Sequence, residues 1–406
     1  MIKKIADGVQ LVSLNVENLL FEGMWEMPHG VTLNTYIVQG EETAIIDGFC
    51  GWDGIPETLY ELLDQAGVSL ESIRHLVVNH MEPDHSGWIE DFQKLHKDFE
   101  IWATKEAAAM IRSFYRFEGT IHEVKDGDTL DLGGKILRFT KAPNVHWPDT
   151  MMTLDESTGC LFCCDAFGAF GKLDQHLASE HSNESLQEIE REQLRYYAGI
   201  LGTFATFVGK GIDKAQALPV RMICPGHGLI WDGEERMERI YNDYRRYVQY
   251  SSGKAKESVA IVWGTMYGNT QKMVEYAKSY LLEKGVPVTC IQVPETDLGT
   301  VLMYVLESKG LVFAAPTYEY KMFPPMAHTL DELGKKRVFH RSAVYLGSYG
   351  WSGGALKEYN EIVERNRMNY QTVGAVEFNG SPKEEDKARV REALDALVAR
   401  IQEKDQ

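Results

Sequence analysis

Two rhythms of apolar and polar positions divide this 406-residue chain. Up to about Tyr250 the apolar runs are short, at 32–38, 43–46, 75–78, 101–103, 136–139 and 151–154. Gly40-Glu41-Glu42, Asp126-Gly127-Asp128 and Leu132-Gly133-Gly134 punctuate them, so the region reads as strands joined by hairpins. Helical spacing intervenes at 88–95, where Trp88, Phe92 and Leu95 share a face, and along the polar segments 186–197 and 234–250. This mixture predicts an αββα sandwich over residues 1–250. The small, polar stretch that begins Ser251-Ser252-Gly253-Lys254 reads as an interdomain linker, taken as 251–257. Over 258–406 strand and helix then alternate strictly, with strands at 259–263, 288–293, 311–315, 343–346 and 373–378 and a final helix at 384–401. That order predicts a five-stranded doubly wound parallel sheet.

Composition narrows the partners. Apolar and charged fractions are those of a globular protein, and the length suits two or three domains at about 150 residues each. The net charge of −18 repels phosphates, which argues against nucleic acid and anionic membrane surfaces. No apolar run approaches the roughly 20 residues that span a bilayer, and the segment Met1-Ile2-Lys3-Lys4-Ile5-Ala6-Asp7-Gly8 lacks the apolar stretch of a signal peptide. A cytoplasmic location is expected. Six cysteines, with Cys160-x-x-Cys163 the single CxxC, make neither a disulfide scaffold nor a two-pair metal ribbon. Cys160, Cys163 and Cys164 read as reduced strand residues.

Chemistry concentrates in His80-Met81-Glu82-Pro83-Asp84-His85, directly after the apolar run Leu76-Val77-Val78. His146, Asp165 and His227 lie in three further loops, each also after a strand-like run. Four imidazoles and three carboxylates from four loops point to a two-metal site. Taken alone, the first loop could be a polar turn with Ser86 capping a helix. The spacing resembles the metal signature of the metallo-β-lactamase fold, whose hydrolases have histidine where this chain has Glu82. Carboxylates in place of imidazoles favour harder, redox-active ions such as iron or manganese over zinc.

In the second half, Thr265-Met266-Tyr267-Gly268-Asn269-Thr270 follows the first strand and opens a helix. Its hydroxyls, amide and relaxed main chain suit a phosphate at a helix N-terminus, although the loop is neither a Walker A motif nor GxGxxG. Pro316-Thr317-Tyr318-Glu319 follows the third strand, and Ser348-Tyr349-Gly350-Trp351-Ser352-Gly353 follows the fourth. Aromatic, glycine-rich loops at successive strand ends can embrace a flat ring. The set resembles flavodoxin, whose corresponding loops hold flavin mononucleotide (FMN). Trp351 either stacks on that ring or anchors its own loop.

A metallo-β-lactamase-like half followed by a flavodoxin-like half resembles the flavodiiron proteins, or A-type flavoproteins, over residues 1–402. The resemblance implies an electron-transport oxidoreductase. Two non-haem irons reduce dioxygen to water, nitric oxide to nitrous oxide, or both, and FMN delivers the electrons. Carried over by position, His80, Glu82 and His146 resemble the ligands of one iron, and Asp84, His85 and His227 those of the other. Asp165 resembles the bridging carboxylate. Because the chain stops after the flavodoxin part, the resemblance implies a separate electron donor: rubredoxin, a flavin reductase or reduced coenzyme F420. It also implies a head-to-tail homodimer, or a dimer of dimers, in which one subunit's flavin faces the other's metals. Two readings stay open beside it, a zinc hydrolase fused to a flavodoxin and a non-catalytic electron carrier. The residues do not rank dioxygen against nitric oxide. Nor do they assign Tyr196, Tyr197, His176 and His181, which read as packing or as neighbours of the metals.

Overall fold

The computed structural model describes residues 1–50 and 56–403. The chain divides into two compact units. One comprises Met1–Tyr197 and Thr206–Arg245; the other comprises Ala198–Ala205 and the chain from Arg246 on.

The first unit is built on two sheets. In one, Ile2–Ala6, Val9–Val16, Val31–Gln39, Thr43–Ile46, Ile73–Val78, Glu100–Thr104 and Ile121–Val124 lie side by side in chain order. In the other the order is Thr129–Asp131, Ile136–Lys141, Met151–Asp155, Cys160–Cys164, Met222–Pro225 and Trp231–Asp232. Alternating apolar side chains from both sheets, including Val9, Leu11, Val38, Ile46 and Val77 from one and Leu137, Phe139, Phe162 and Cys224 from the other, form one shared core. The outer faces carry helices whose starts are fixed locally. Thr104 Oγ1 accepts from Ala107 N at 3.2 Å to cap Lys105–Tyr115, and Ser182 does the same from Ser185 N to cap Asn183–Tyr196. The predicted sandwich is therefore present. The hairpin Ile2–Val16 adds two strands that short-run periodicity did not pick out, because lysines and polar residues interrupt its apolar positions.

The second unit has the five strands the alternation predicts. Their spatial order is Val288–Gln292, Lys256–Trp263, Ser308–Tyr318, Ser342–Tyr349 and Gln371–Asn379, all parallel. In sequence numbering of the unit this is 2-1-3-4-5, the flavodoxin-like order, with its switch point between the first and third strands. Val259, Ala260, Ile261 and Val262 are wholly buried, as a central parallel strand covered on both faces requires. Helix Glu234–Ser251 ends four residues before strand Lys256–Trp263 begins, so the polar stretch contributes only residues 252–255 as irregular chain. Arg341, almost fully buried, secures this corner. Its guanidinium donates to the carbonyls of Tyr250 and Leu306 at 2.7 Å each, near the ends of helices Glu234–Ser251 and Leu298–Glu307. A cation placed at two negative helix ends offsets part of the cost of burying it.

Candidate metal and flavin sites

The seven side chains expected from the sequence converge in the first unit. His80 to His85 follow strand Ile73–Val78 and run into the short helix Pro83–Ser86. His146 lies between Ile136–Lys141 and Met151–Asp155, Asp165 directly follows Cys160–Cys164, and His227 follows Met222–Pro225. One cluster joins His80, Glu82, His146 and Asp165, and another joins Asp84, His85 and His227, with ligand atoms within 4.8 Å of one another in each.

Asp165 faces both clusters with different oxygens. Its Oδ2 lies 3.3 Å from His80 Nε2 and 3.3 Å from His146 Nε2, while Oδ1 lies 3.0 Å from His85 Nε2 and 3.5 Å from His227 Nε2. Glu82 Oε2 sits 3.0 Å from His146 Nε2, and Asp84 Oδ2 sits 3.3 Å from His227 Nε2. Several of these buried atoms have no hydrogen-bond partner: His80 Nε2, His227 Nε2, Asp165 Oδ2 and both oxygens of Asp84. Buried polar atoms left unsatisfied are costly, and lone pairs converging from four loops are what a pair of cations would satisfy. The donor set therefore fits two metal ions.

The electrostatics agree. Burial alone would push Glu82 up, but the neighbouring imidazoles of His146 and His80 hold it at about 2. Burial opposes protonation of His85 and His146 as well. Asp84 and Asp165 nevertheless raise His85 to about 10, and Asp165 with Glu82 raises His146 to about 9. In the metal-free protein, protons on these imidazoles supply the positive charge that the carboxylates demand.

The loop backbone is fixed from behind. Asn79 N donates to Asp47 Oδ1 at 2.7 Å, the Asn79 amide donates to Asp47 Oδ2 at 3.1 Å, and Thr153 Oγ1 donates to Asn79 Oδ1 at 2.7 Å. Gly226 has no alternative, since a Cβ there would stand 2.7 Å from His85 Cε1. Cys164 also approaches His85 and Asp165, but burial pushes its thiol well up, so it is a poor anionic ligand. A concavity of about 490 Å³ opens at Glu82 and Asp84, walled by Phe21, Cys50, Phe114 and Tyr115.

The undecided residues separate. Tyr196 is wholly buried with a hydroxyl that has no hydrogen-bond partner, its ring 5.8 Å from that of His227. Tyr197 packs edge-on against Tyr244 at 5.8 Å. His176 lies 2.9 Å from Ser13 Oγ, and His181 bonds Ser185 and Gln175, so both serve local structure. The five cysteines other than Cys290 are buried, and all six are free.

In the second unit a cleft of about 280 Å³ lies at the carboxyl ends of the strands. It is lined by Thr265, Met266, Tyr267 and Asn269, by Pro316 to Tyr320, by Ser348 to Ser352, and by Gly380. Tyr320 and Gly380 were not expected. Tyr320 follows the third-strand loop in a left-handed turn (φ 63°), and Gly380 follows the fifth strand, a loop with no chemical signature of its own. Three expected residues, Gly268, Thr270 and Gly353, do not line the cleft, and the first two support it instead. Gly268 has φ 85° and donates its N–H to Thr265 Oγ1 at 3.0 Å, while buried Thr270 pairs with Ser348 Oγ at 2.8 Å and so ties the first loop to the third. The aromatic rim is uncovered: Tyr267 is 91 % exposed, Trp351 86 % and Tyr320 63 %.

Comparison with known proteins follows the same division. Residues 31–228 match the family described as ODP family beta lactamase. The chain is 29 % identical to a nitric oxide reductase of Moorella thermoacetica over 98 % of both proteins. It is 31 % identical to an oxidase of reduced coenzyme F420 from Methanothermobacter marburgensis over 89 % of both. A solved variant of the flavo di-iron protein of Thermotoga maritima is similar over 99 % of both chains, with a TM-score of 0.88 at 26 % identity. Identity and coverage of this extent, across both the metal-cluster unit and the doubly wound unit, mean that the chain belongs to the flavodiiron proteins.

Proposed function

We propose that the protein is an oxidoreductase that reduces dioxygen to water, nitric oxide to nitrous oxide, or both. In this reading the two clusters around Asp165 hold a pair of irons and the cleft of the second unit holds FMN. The observation that carries it is the split use of Asp165, with one carboxylate oxygen toward His80 and His146 and the other toward His85 and His227. Two adjacent irons and a flavin supply electrons singly or in pairs to a small diatomic substrate.

The chain's own residues do the rest. Glu82 and Asp84, facing the concavity, place negative charge next to the incoming substrate and favour the higher oxidation state of the metals. Phe21 and Phe114 wall that space, limiting water, and the Tyr196 ring lies 5.8 Å from that of His227 with its buried hydroxyl unpartnered. In the cleft, Thr265 and Asn269, at the N-terminus of helix Asn269–Glu283, would hold the flavin phosphate, and the aromatic side chains of Tyr349 and Trp351 would supply apolar faces for the ring. The electrons come from a donor of the class of rubredoxin, a flavin reductase or reduced coenzyme F420. The subunits pair head to tail, which suits the exposed aromatics at the cleft and the half-exposed Leu20, Met24 and Phe114 of the first unit.

The test is metal and flavin analysis followed by anaerobic turnover. About two irons and one FMN per chain are expected, with consumption of at least one of the two gases by flavin-reduced protein. Stoichiometric zinc in active, iron-replete protein, or no consumption of either gas, would overturn the reading.

A further inference from the structure

Two of the four imidazoles have their second ring nitrogen held by groups of different charge. His227 Nδ1 lies 2.8 Å from the carbonyl oxygen of Thr32, a neutral acceptor. His80 Nδ1 lies 3.2 Å from Asp149 Oδ2, a carboxylate. Neither partner has a proton to give, so each ring carries its own on Nδ1 and presents Nε2 to the cluster.

Asp149 is fully buried, and it is built into place rather than drifting near the ring. Its Oδ2 also accepts Met81 N at 2.8 Å, and its main-chain oxygen accepts Thr104 Oγ1 at 2.9 Å. Its Oδ1 has no hydrogen-bond partner. A buried carboxylate with one bare oxygen is expensive unless a cation stands close by, and the position beyond His80 Nε2 is where one would stand.

We propose that Asp149 is a positioning residue of the metal centre: it fixes the Nδ1–H form of His80, aims Nε2, and backs one metal position with a negative charge that His227 does not bring to the other. This rests on the reading of the cluster as a two-metal site. A carboxylate behind an imidazole strengthens the imidazole as a donor, so the Asp149 charge tightens binding of the ion at His80, Glu82 and His146 and makes that ion easier to oxidise than it would be without it.

Asp149→Asn tests this, because the amide oxygen still accepts Met81 N while the charge disappears. Competition against a chelator should lower one of the two iron-binding constants ~10–100-fold and leave the other near its original value. In a redox titration, one of the two one-electron iron couples should rise by about 59 mV or more, the equivalent of a tenfold change. Equal changes at both ions, or none at either, overturn the proposal. A second measurement needs no variant. In the full chain loaded with zinc and labelled with ring-¹⁵N histidine, His80 should carry its proton on Nδ1, with that proton's resonance downfield of the one on His227. Protonation of His80 at Nε2, or no such displacement, overturns the proposal equally. A wild-type protein that binds fewer than two metals would instead sink the two-metal reading, which keeps the failures distinct.

Discussion

The two units solve opposite problems. In the first, four imidazoles and three carboxylates are gathered beneath the surface, and His80, Asp165 and His227 are wholly buried. In the second, the cleft is shallow, and its most prominent side chains, Tyr267 and Trp351, stand almost entirely in solvent. Charge follows the same division. Residues 1–250 hold 22 Lys and Arg against 40 Asp and Glu, whereas residues 251–406 hold 20 against 20. The whole surplus of negative charge thus belongs to the metal half. A buried metal site must be over-determined, because each of its polar atoms is costly unless satisfied. A flavin cleft can be assembled from loop backbone and ring faces, with little net charge and an open side left for a partner.

The largest effect should come from breaking the metal half at its shared carboxylate. Asp165→Ala removes both of the oxygens that face the two clusters and leaves four imidazoles with only Glu82 and Asp84. The expected outcome is loss of the iron pair and of gas consumption to background, with FMN content unchanged. Retained dinuclear iron with normal turnover would show that Asp165 does not join the ions, and lost FMN would show that the halves are not independent.

A second test asks whether the open cleft is completed by another chain. His80→Ala with His227→Ala should abolish iron binding, and Asn269→Ala with Thr270→Val should abolish FMN binding. Each variant alone should be inactive. After subunit exchange, a mixed head-to-tail dimer regains one working pair of sites, about half the activity per dimer. If the binding defects and the exchange are verified and no activity returns, electron transfer within a single chain is the better description.

The clustered side chains were legible because they break a rule visible in sequence: charged and imidazole side chains sit in loops immediately after fully apolar strand runs, such as Leu76-Val77-Val78 before His80. The second unit was legible for a related reason, since buried parallel strands such as 259–262 tolerate no polar position. What stayed hidden depends on contacts distant in sequence. Asp149 follows a proline and precedes a threonine, as turn aspartates do, and only its approach to His80, 69 residues away, gives it a role. Asp47 is equally unremarkable until Asn79 meets it. Tyr320 and Gly380 reach the cleft through loop geometry that no local periodicity encodes.

A third, smaller effect concerns protons. In the metal-free protein, despite burial, the carboxylates lift His85 to about 10 and His146 to about 9, above the ordinary 6.5. A raised folded pKa means that the native state binds more protons than the unfolded chain between those values. The resulting stability is full below pH 6.5 and is lost as pH rises through about 9 to 10. Metal binding requires the same nitrogens without protons, so the loaded protein should lack this decline and should release protons as it takes up metal near neutrality. Melting curves of apo and loaded protein across that range are the check. An apoprotein as stable at high pH as at neutrality would mean that the carboxylates and imidazoles are not coupled as their distances imply.

The smallest effect belongs to the flavin half, and it decides between the two readings of Trp351. At 86 % exposure the indole contributes almost nothing to the fold of the free chain, so Trp351→Ala should leave the melting temperature of the flavin-free protein unchanged. If the ring packs on the flavin, its loss costs ~0.5–1.5 kcal/mol of stacking, a roughly two- to tenfold rise in the FMN dissociation constant. Stacking also acts unequally on the oxidised and reduced flavin, so the midpoint potential should move with the affinity. Thr270→Val provides the contrast. It removes the buried hydroxyl that meets Ser348 Oγ, so it should lower the stability of the flavin-free protein by about 1 kcal/mol as well as weakening FMN binding. A Trp351→Ala protein with unaltered FMN affinity and potential would assign the indole to the loop, or to a partner at the cleft's open side.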